Sequence, residues 1–137
     1  MTPPASPERV CFTLRVRTEM LDEYLQRHSP VRAEMLAEIE ASGRRNYSLF
    51  LGEGGLLVGY YETDDDAASQ AYLAGSEIAA RWEADMAPFF VGLHGRPDQA
   101  ATPLAEVFHL DTQIADARRA PSALDGAASA PSGSEDA

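Results

Sequence analysis

Three histidines, His28, His94 and His109, are the only imidazoles in a chain that contains no lysine. Without lysine, Schiff-base catalysis and the lysine of a phosphate loop are both excluded. His28 lies in the stretch DEYLQRHSPVRAEM, four residues after Tyr24 and two before Pro30. That spacing stacks Tyr24 and His28 on one helical face, with the imidazole at the helix C-terminus. A helix C-terminus favours imidazolium, which suits proton donation near neutral pH. The same two residues also fit a surface histidine at a helix end beside an amphipathic tyrosine. His94 sits in the loop HGRPD and reads as a solvated loop residue, and His109 alternates within an apparent last strand. No HxxxH or HxH spacing supports a zinc or iron site. The triplet Asp64-Asp65-Asp66 lacks the regular oxygen spacing of a calcium loop.

Other candidates are aromatic. Trp82, the single tryptophan, falls in the apolar stripe of a helix and fits either a core role or a flat wall against a ligand. Tyr47 opens a strand beside Asn46, and Tyr60 and Tyr61 must point to opposite faces of theirs. Glu83, next to Trp82, is a substrate-contact candidate, and a solvated surface carboxylate fits its position on the helix equally. No GxSxG elbow and no glycine-rich phosphate loop is present.

Regular elements must position these groups. RVCFTLRVR alternates, with Val10, Phe12, Leu14 and Val16 on one face, and predicts a half-buried strand. MLDEYLQRH predicts a helix stopped by Pro30. Ser29 and Pro30 then read as the cap and first residue of a second helix with the stripe Val31, Met35 and Ile39 and a terminating Gly43. NYSLFLG and LLVGYYE flank an EGG turn as a hairpin. The acidic triplet opens another helix, Ser76 caps the next with the stripe Ile78, Trp82 and Met86, and LAEVFHL reads as the last strand. The order β, α-α, β, β, α-α, β predicts an α+β, ferredoxin-like four-stranded antiparallel sheet with helices on one face. The other sheet face needs cover, and a second copy is the simplest source.

With 137 residues the chain has room for one domain, and 45% hydrophobic content can supply its core. A net charge of −11 disfavours a nucleic-acid partner. Cys11 alone can form no intramolecular disulfide and sits in an alternating run as a structural thiol. The N-terminus has no secretory apolar core and no run is long enough to span a membrane, so a cytoplasmic protein is expected. Residues 1–8 and 112–137 are rich in Pro, Ser, Ala and Asp and are expected to be disordered, leaving a folded domain at 9–111.

In order along the chain, EYLQRHSPVRAEM, Asn46-Tyr47, Arg81-Trp82 and the closing Glu106-Val107-Phe108-His109-Leu110 resemble the L-rhamnose mutarotase family. The likeness covers about residues 10–110, starting from that family's EEYxxRHxPxxPE. It implies a ferredoxin-like subunit of dimeric α/β-barrel type, a homodimer, and cofactor-free exchange of the anomers of L-rhamnose. The family's proton-donating histidine matches His28, and its sugar-binding residues match Tyr24, Tyr47 and Trp82. Glu83 stands where the family usually has a second tryptophan, and Arg32-Ala33 where it has Trp-Pro. The lost ring bears on which 6-deoxy sugar is taken more than on the reaction. Imidazole suits the proton transfers of hemiacetal opening and closure, with water, a tyrosine or Glu83 as its partner. Two other functions fit the same fold: a small-molecule-binding protein or cofactor-free oxygenase acting on an aromatic ligand, and a non-catalytic sugar-binding module.

Overall fold

The computed structural model describes residues 7–119. They fall into two compact units, the first ending at Ala105 and the second starting at Glu106.

The first unit carries the sheet. Strands β1 (Glu8–Arg15), β2 (Arg45–Leu51), β3 (Leu56–Thr63) and β4 (Thr102–Leu104) lie in the order β2-β3-β1-β4, with every neighbouring pair antiparallel. Helices α1 (Leu21–Arg27) and α2 (Ala33–Ala41) join β1 to β2. Helices α3 (Asp66–Ala74) and α4 (Glu77–Met86) and the short α5 (Pro97–Ala100) join β3 to β4. This is the ferredoxin-like arrangement expected.

Period-two patterning explains the sheet. Along β3, Leu57, Gly59, Tyr61 and Thr63 are buried and their alternates half-buried. Direct partners in an antiparallel pair share a face, so Phe12, opposite Gly59, and Leu14, opposite Leu57, join them on the helix side. A Cβ on Gly59 would overlap the Phe12 ring, so glycine there makes room for that ring. The hairpin turn uses Gly54 and Gly55 at positive φ, and Gly55 also meets the Val16 carbonyl too closely for any side chain.

Capping explains the helices. Asp65 accepts from the Ala68 N–H at 3.1 Å to start α3, and Ser76 accepts from the Ala79 N–H at 3.1 Å to start α4, as its sequence position suggested. Gly43, at φ 93°, follows α2. One core cluster joins Val16, Tyr24, Leu57, Met86, Phe89 and Phe90, and a second joins Met35, Leu73 and Ala79. Trp82 packs against both.

Three expectations are corrected. Helix α2 starts at Ala33 with Arg32 as its cap, because Ser29 is still bonded to Gln26 in the closing turn of α1. The last strand is Thr102–Leu104, and residues 105–109 are not assigned to any strand. The termini of the folded region also move: β1 begins at Glu8, and α6 (Leu110–Arg119) runs through the first part of the expected tail. In this second unit the His109 imidazole accepts from the Thr112 N–H at 3.3 Å, so His109 caps a helix and is not a strand residue. Asp111 in the first turn and Arg118 and Arg119 in the last complement the helix dipole. The remaining parts of both expected extensions, residues 1–6 and 120–137, lie outside the described residues. No helix among the described residues is long and apolar enough to cross a membrane.

Candidate active site

The helix-facing side of the sheet does not close completely against the helices. A cavity of about 250 Å3 remains in the first unit, lined by Phe12, Leu14, Tyr47, Leu57 and Tyr61 from the sheet. Tyr24 and His28 from α1, Trp82 and Glu83 from α4, and Asp98 from α5 complete its walls. All five residues singled out from the sequence therefore line one cavity.

His28 caps α1 at its C-terminus. Its ring lies 4.2 Å from the Tyr24 ring, tilted by 31°, and meets Trp82 edge-on at 5.5 Å. Nδ1 is 2.9 Å from the Tyr24 carbonyl oxygen. A carbonyl can only accept, so Nδ1 carries the proton of the neutral ring and Nε2 holds the lone pair. Burial lowers the His28 pKa from its ordinary value, opposed by that backbone hydrogen bond. The helix-end position was expected to favour imidazolium; in the folded protein desolvation outweighs it, so the neutral ring dominates at pH 7.

Tyr24 is buried among Phe89, Phe90 and His28. Desolvation raises its pKa strongly, with smaller contributions from Tyr47 and Glu83. Tyr47 reaches the cavity through an irregularity in β2: the register shifts between Arg45 and Ser48, where Asn46 adopts φ 51°. Asparagine tolerates that conformation, and such bulges re-aim the neighbouring side chain. Tyr47 packs 5.1 Å from Tyr61 and edge-on to Phe12 at 6.4 Å. Burial pushes its pKa up to about 12, against the pull of Arg44. Both phenols stay protonated and can donate to a ligand.

Of the two readings of Glu83, the solvated carboxylate does not hold. It is 8% exposed and faces the cavity, with Oε1 accepting from the Asp98 N–H at 3.1 Å. Desolvation and the nearby Asp98 carboxylate push its pKa up to about 7. Asp98 is held by Arg96 through two bonds of 2.8 and 3.0 Å, and Arg96 Nη2 also donates to the Leu73 carbonyl at 3.2 Å. The HGRPD loop, in which the sequence singled out His94, thus supplies one wall through Asp98. His94 is exposed, as expected, and is outside the cavity lining. His109 belongs to the second unit.

Sequence reasoning missed Arg44 and Asp98 as cavity residues. Strand parity could have placed Tyr61 there, since it shares a face with Leu57. Nothing in the local spacing marks Arg44, because its burial depends on Ser69 and Asp66 of α3. Among the described residues, no group of three or more His, Cys, Asp or Glu side chains is placed to hold a metal ion.

Fold and cavity define a class: a ferredoxin-like α+β subunit with an aromatic-walled, small-molecule cleft between sheet and helices. Within it, the L-rhamnose mutarotase family profile matches residues 9–110. L-rhamnose mutarotase of Oceanobacillus iheyensis is 33% identical over 105 residues, covering 76% of this chain and 99% of the relative. The Bacillus subtilis protein of the same name is 35% identical over 105 residues, with the same coverages of 76% and 99%. The crystal structure of L-rhamnose mutarotase from Formosa agariphila superposes with a TM-score of 0.61 at 27% identity, covering 74% of this chain and 97% of that one. The chain belongs to the L-rhamnose mutarotase family.

Proposed function

We propose that this chain is an isomerase that interconverts the α and β anomers of L-rhamnose or a closely similar 6-deoxy sugar. The observation that carries the reading is His28: its Nδ1 is pinned by the Tyr24 carbonyl, and its ring is held between Tyr24 and Trp82 at the cavity wall. An imidazole fixed in one tautomer beside two aromatic faces suits a sugar's mixture of hydroxyl and C–H surface.

Ring opening breaks the C1–O5 bond. The anomeric hydroxyl loses a proton as C1=O forms, and O5 gains one. Rotation about C1–C2 and the reverse transfers close the ring on the other face. His28, neutral at pH 7, takes the first proton and returns it on closure. Glu83 is the second carrier in this reading: it lies in the same cavity, and its pKa of about 7 lets it give and regain a proton. Tyr24 and Tyr47 hold hydroxyls, and Trp82 covers C–H groups. The reaction proceeds unaided in water, so modest acid-base acceleration suffices and no cofactor is required by this chemistry.

We also propose a homodimer. The sheet face opposite the helices carries Phe50, 62% exposed, and Leu104, 47% exposed. A second copy would cover them.

Saturation-transfer NMR on L-rhamnose tests the activity, comparing wild type, His28→Asn and no protein. Acceleration by wild type that falls at least about a hundredfold in the mutant is expected. Absence of acceleration with rhamnose, fucose and other 6-deoxy sugars overturns the reading.

A further inference from the structure

Among the described residues, Arg44 is the one arginine in the cavity lining, and its side chain is only 4% exposed. Its position is fixed from three sides. Nε donates to Ser69 Oγ at 3.1 Å, the guanidinium lies over the Tyr61 ring at 4.1 Å, and Gly43 at φ 93° turns the chain into β2 just before it. Nη2 is different: it is buried and meets no acceptor at proper hydrogen-bond geometry, and the Tyr47 hydroxyl that feels a hydrogen-bonding pull from the guanidinium stops short of satisfying it. The nearest carboxylate oxygen, Asp66 Oδ1, is 4.0 Å away and already accepts from the Tyr61 hydroxyl at 2.6 Å and Ser69 Oγ at 3.1 Å. A buried charged donor left unpaired is costly, and an oxygen supplied by a ligand offsets that cost.

We propose that Arg44 is a substrate-contacting, specificity-determining residue whose Nη2 donates to a hydroxyl oxygen of the bound sugar. The inference rests on the sugar reading of the cavity, but it adds a residue that the resemblance does not supply. The acceptor is a neutral hydroxyl and not a carboxylate, because Asp66, Glu83 and Asp98 line the same cavity and would repel a sugar acid. Arg44 also acts on Tyr47, whose phenol feels its charge. Guanidinium and phenol can therefore hold neighbouring oxygens of one ring.

Two measurements test this. The first follows the guanidinium 15N–1H signals of the wild-type protein during titration with L-rhamnose and, separately, with D-galacturonate; Arg44→Lys assigns the resonance. Slowed exchange and a shift of the Arg44 Nη protons with rhamnose alone are expected. A response to the uronate instead, or no response to a sugar whose anomers the protein exchanges, overturns the proposal. The second compares KM and kcat for wild type, Arg44→Lys and Arg44→Met. We expect Arg44→Met to raise KM about tenfold with kcat little changed, and lysine to recover part of the loss. Unchanged KM in a folded Arg44→Met protein sinks the proposal and leaves the mutarotase reading standing. Wild type inactive on every sugar, with no Arg44 response, sinks both. A wild type that is inactive but whose Arg44 responds to rhamnose keeps only the contact.

Discussion

The Tyr24 carbonyl, and not its hydroxyl, holds His28: Nδ1 donates to it across 2.9 Å while the two rings overlap at 4.2 Å. Tautomer and orientation of the imidazole are therefore set by the backbone of α1 and survive loss of the phenolic oxygen. Tyr24→Phe should raise KM for the sugar about tenfold by removing one hydroxyl contact. Thermal unfolding should stay within about 1 kcal/mol of wild type. A collapse of kcat with KM unchanged would show instead that the phenol itself moves a proton.

Glu83 gives the protein a pH signature. Its ordinary value is 4.5 and its folded value about 7, so between these the folded protein keeps a proton that the unfolded chain has lost. Stability from this group is full below about pH 4.5, declines as pH rises, and is gone above about 7, a change on the order of 3 kcal/mol. His28 works the other way, because its folded pKa is lowered: stability falls as pH drops below the ordinary 6.5. The two windows overlap, so Glu83→Gln is the control. Chemical unfolding across pH 4 to 8 should lose the decline between about pH 4.5 and 7 in that variant while keeping the loss of stability on acidification. Identical profiles for both proteins would remove Glu83 as the source.

Gly59→Ala should destabilise by about 1–3 kcal/mol, since the new methyl overlaps the Phe12 ring. Phe12 is edge-on to Tyr47, so the displaced ring should also weaken sugar binding. Urea unfolding and KM measured together check both effects. Wild-type values for both would mean that Phe12 turns away freely.

Phe50→Glu addresses association. A charge placed on the exposed sheet face should yield monomers by sedimentation, with far-UV circular dichroism unchanged. The same mass for both proteins would move the proposed interface elsewhere.

Much of this was legible because local rules and tertiary context agreed. Alternation in β1 and β3, the Ser76 cap and the Tyr24–His28 spacing each follow from neighbours within one element. The failures share a different cause. Glu83 stays open to a solvated reading from sequence, because α4 alone does not reveal that α5 folds over it and donates the Asp98 N–H. LAEVFHL alternates like a strand, but Leu104 is its one residue in β4, and His109 instead satisfies a helix N-terminus. The residues beyond 111 looked too poor in large apolar groups to order. Helix α6 forms there with charges matched to its dipole and without a buried face.

The loop that closes the cavity is anchored at its far end, where Arg96 ties Asp98 to the carbonyls of Leu73 and Ala74. Upstream, Gly92 and Gly95 sit at positive φ with open space where side chains would be. Between them Leu93 packs against the core, so His94 and Gly95 alone form a short outward-facing bight between Leu93 and the Arg96 anchor. That bight is the place to splice in a fluorophore tag or a surface tether, because extra chain there loops into solvent while the cavity wall stays clamped.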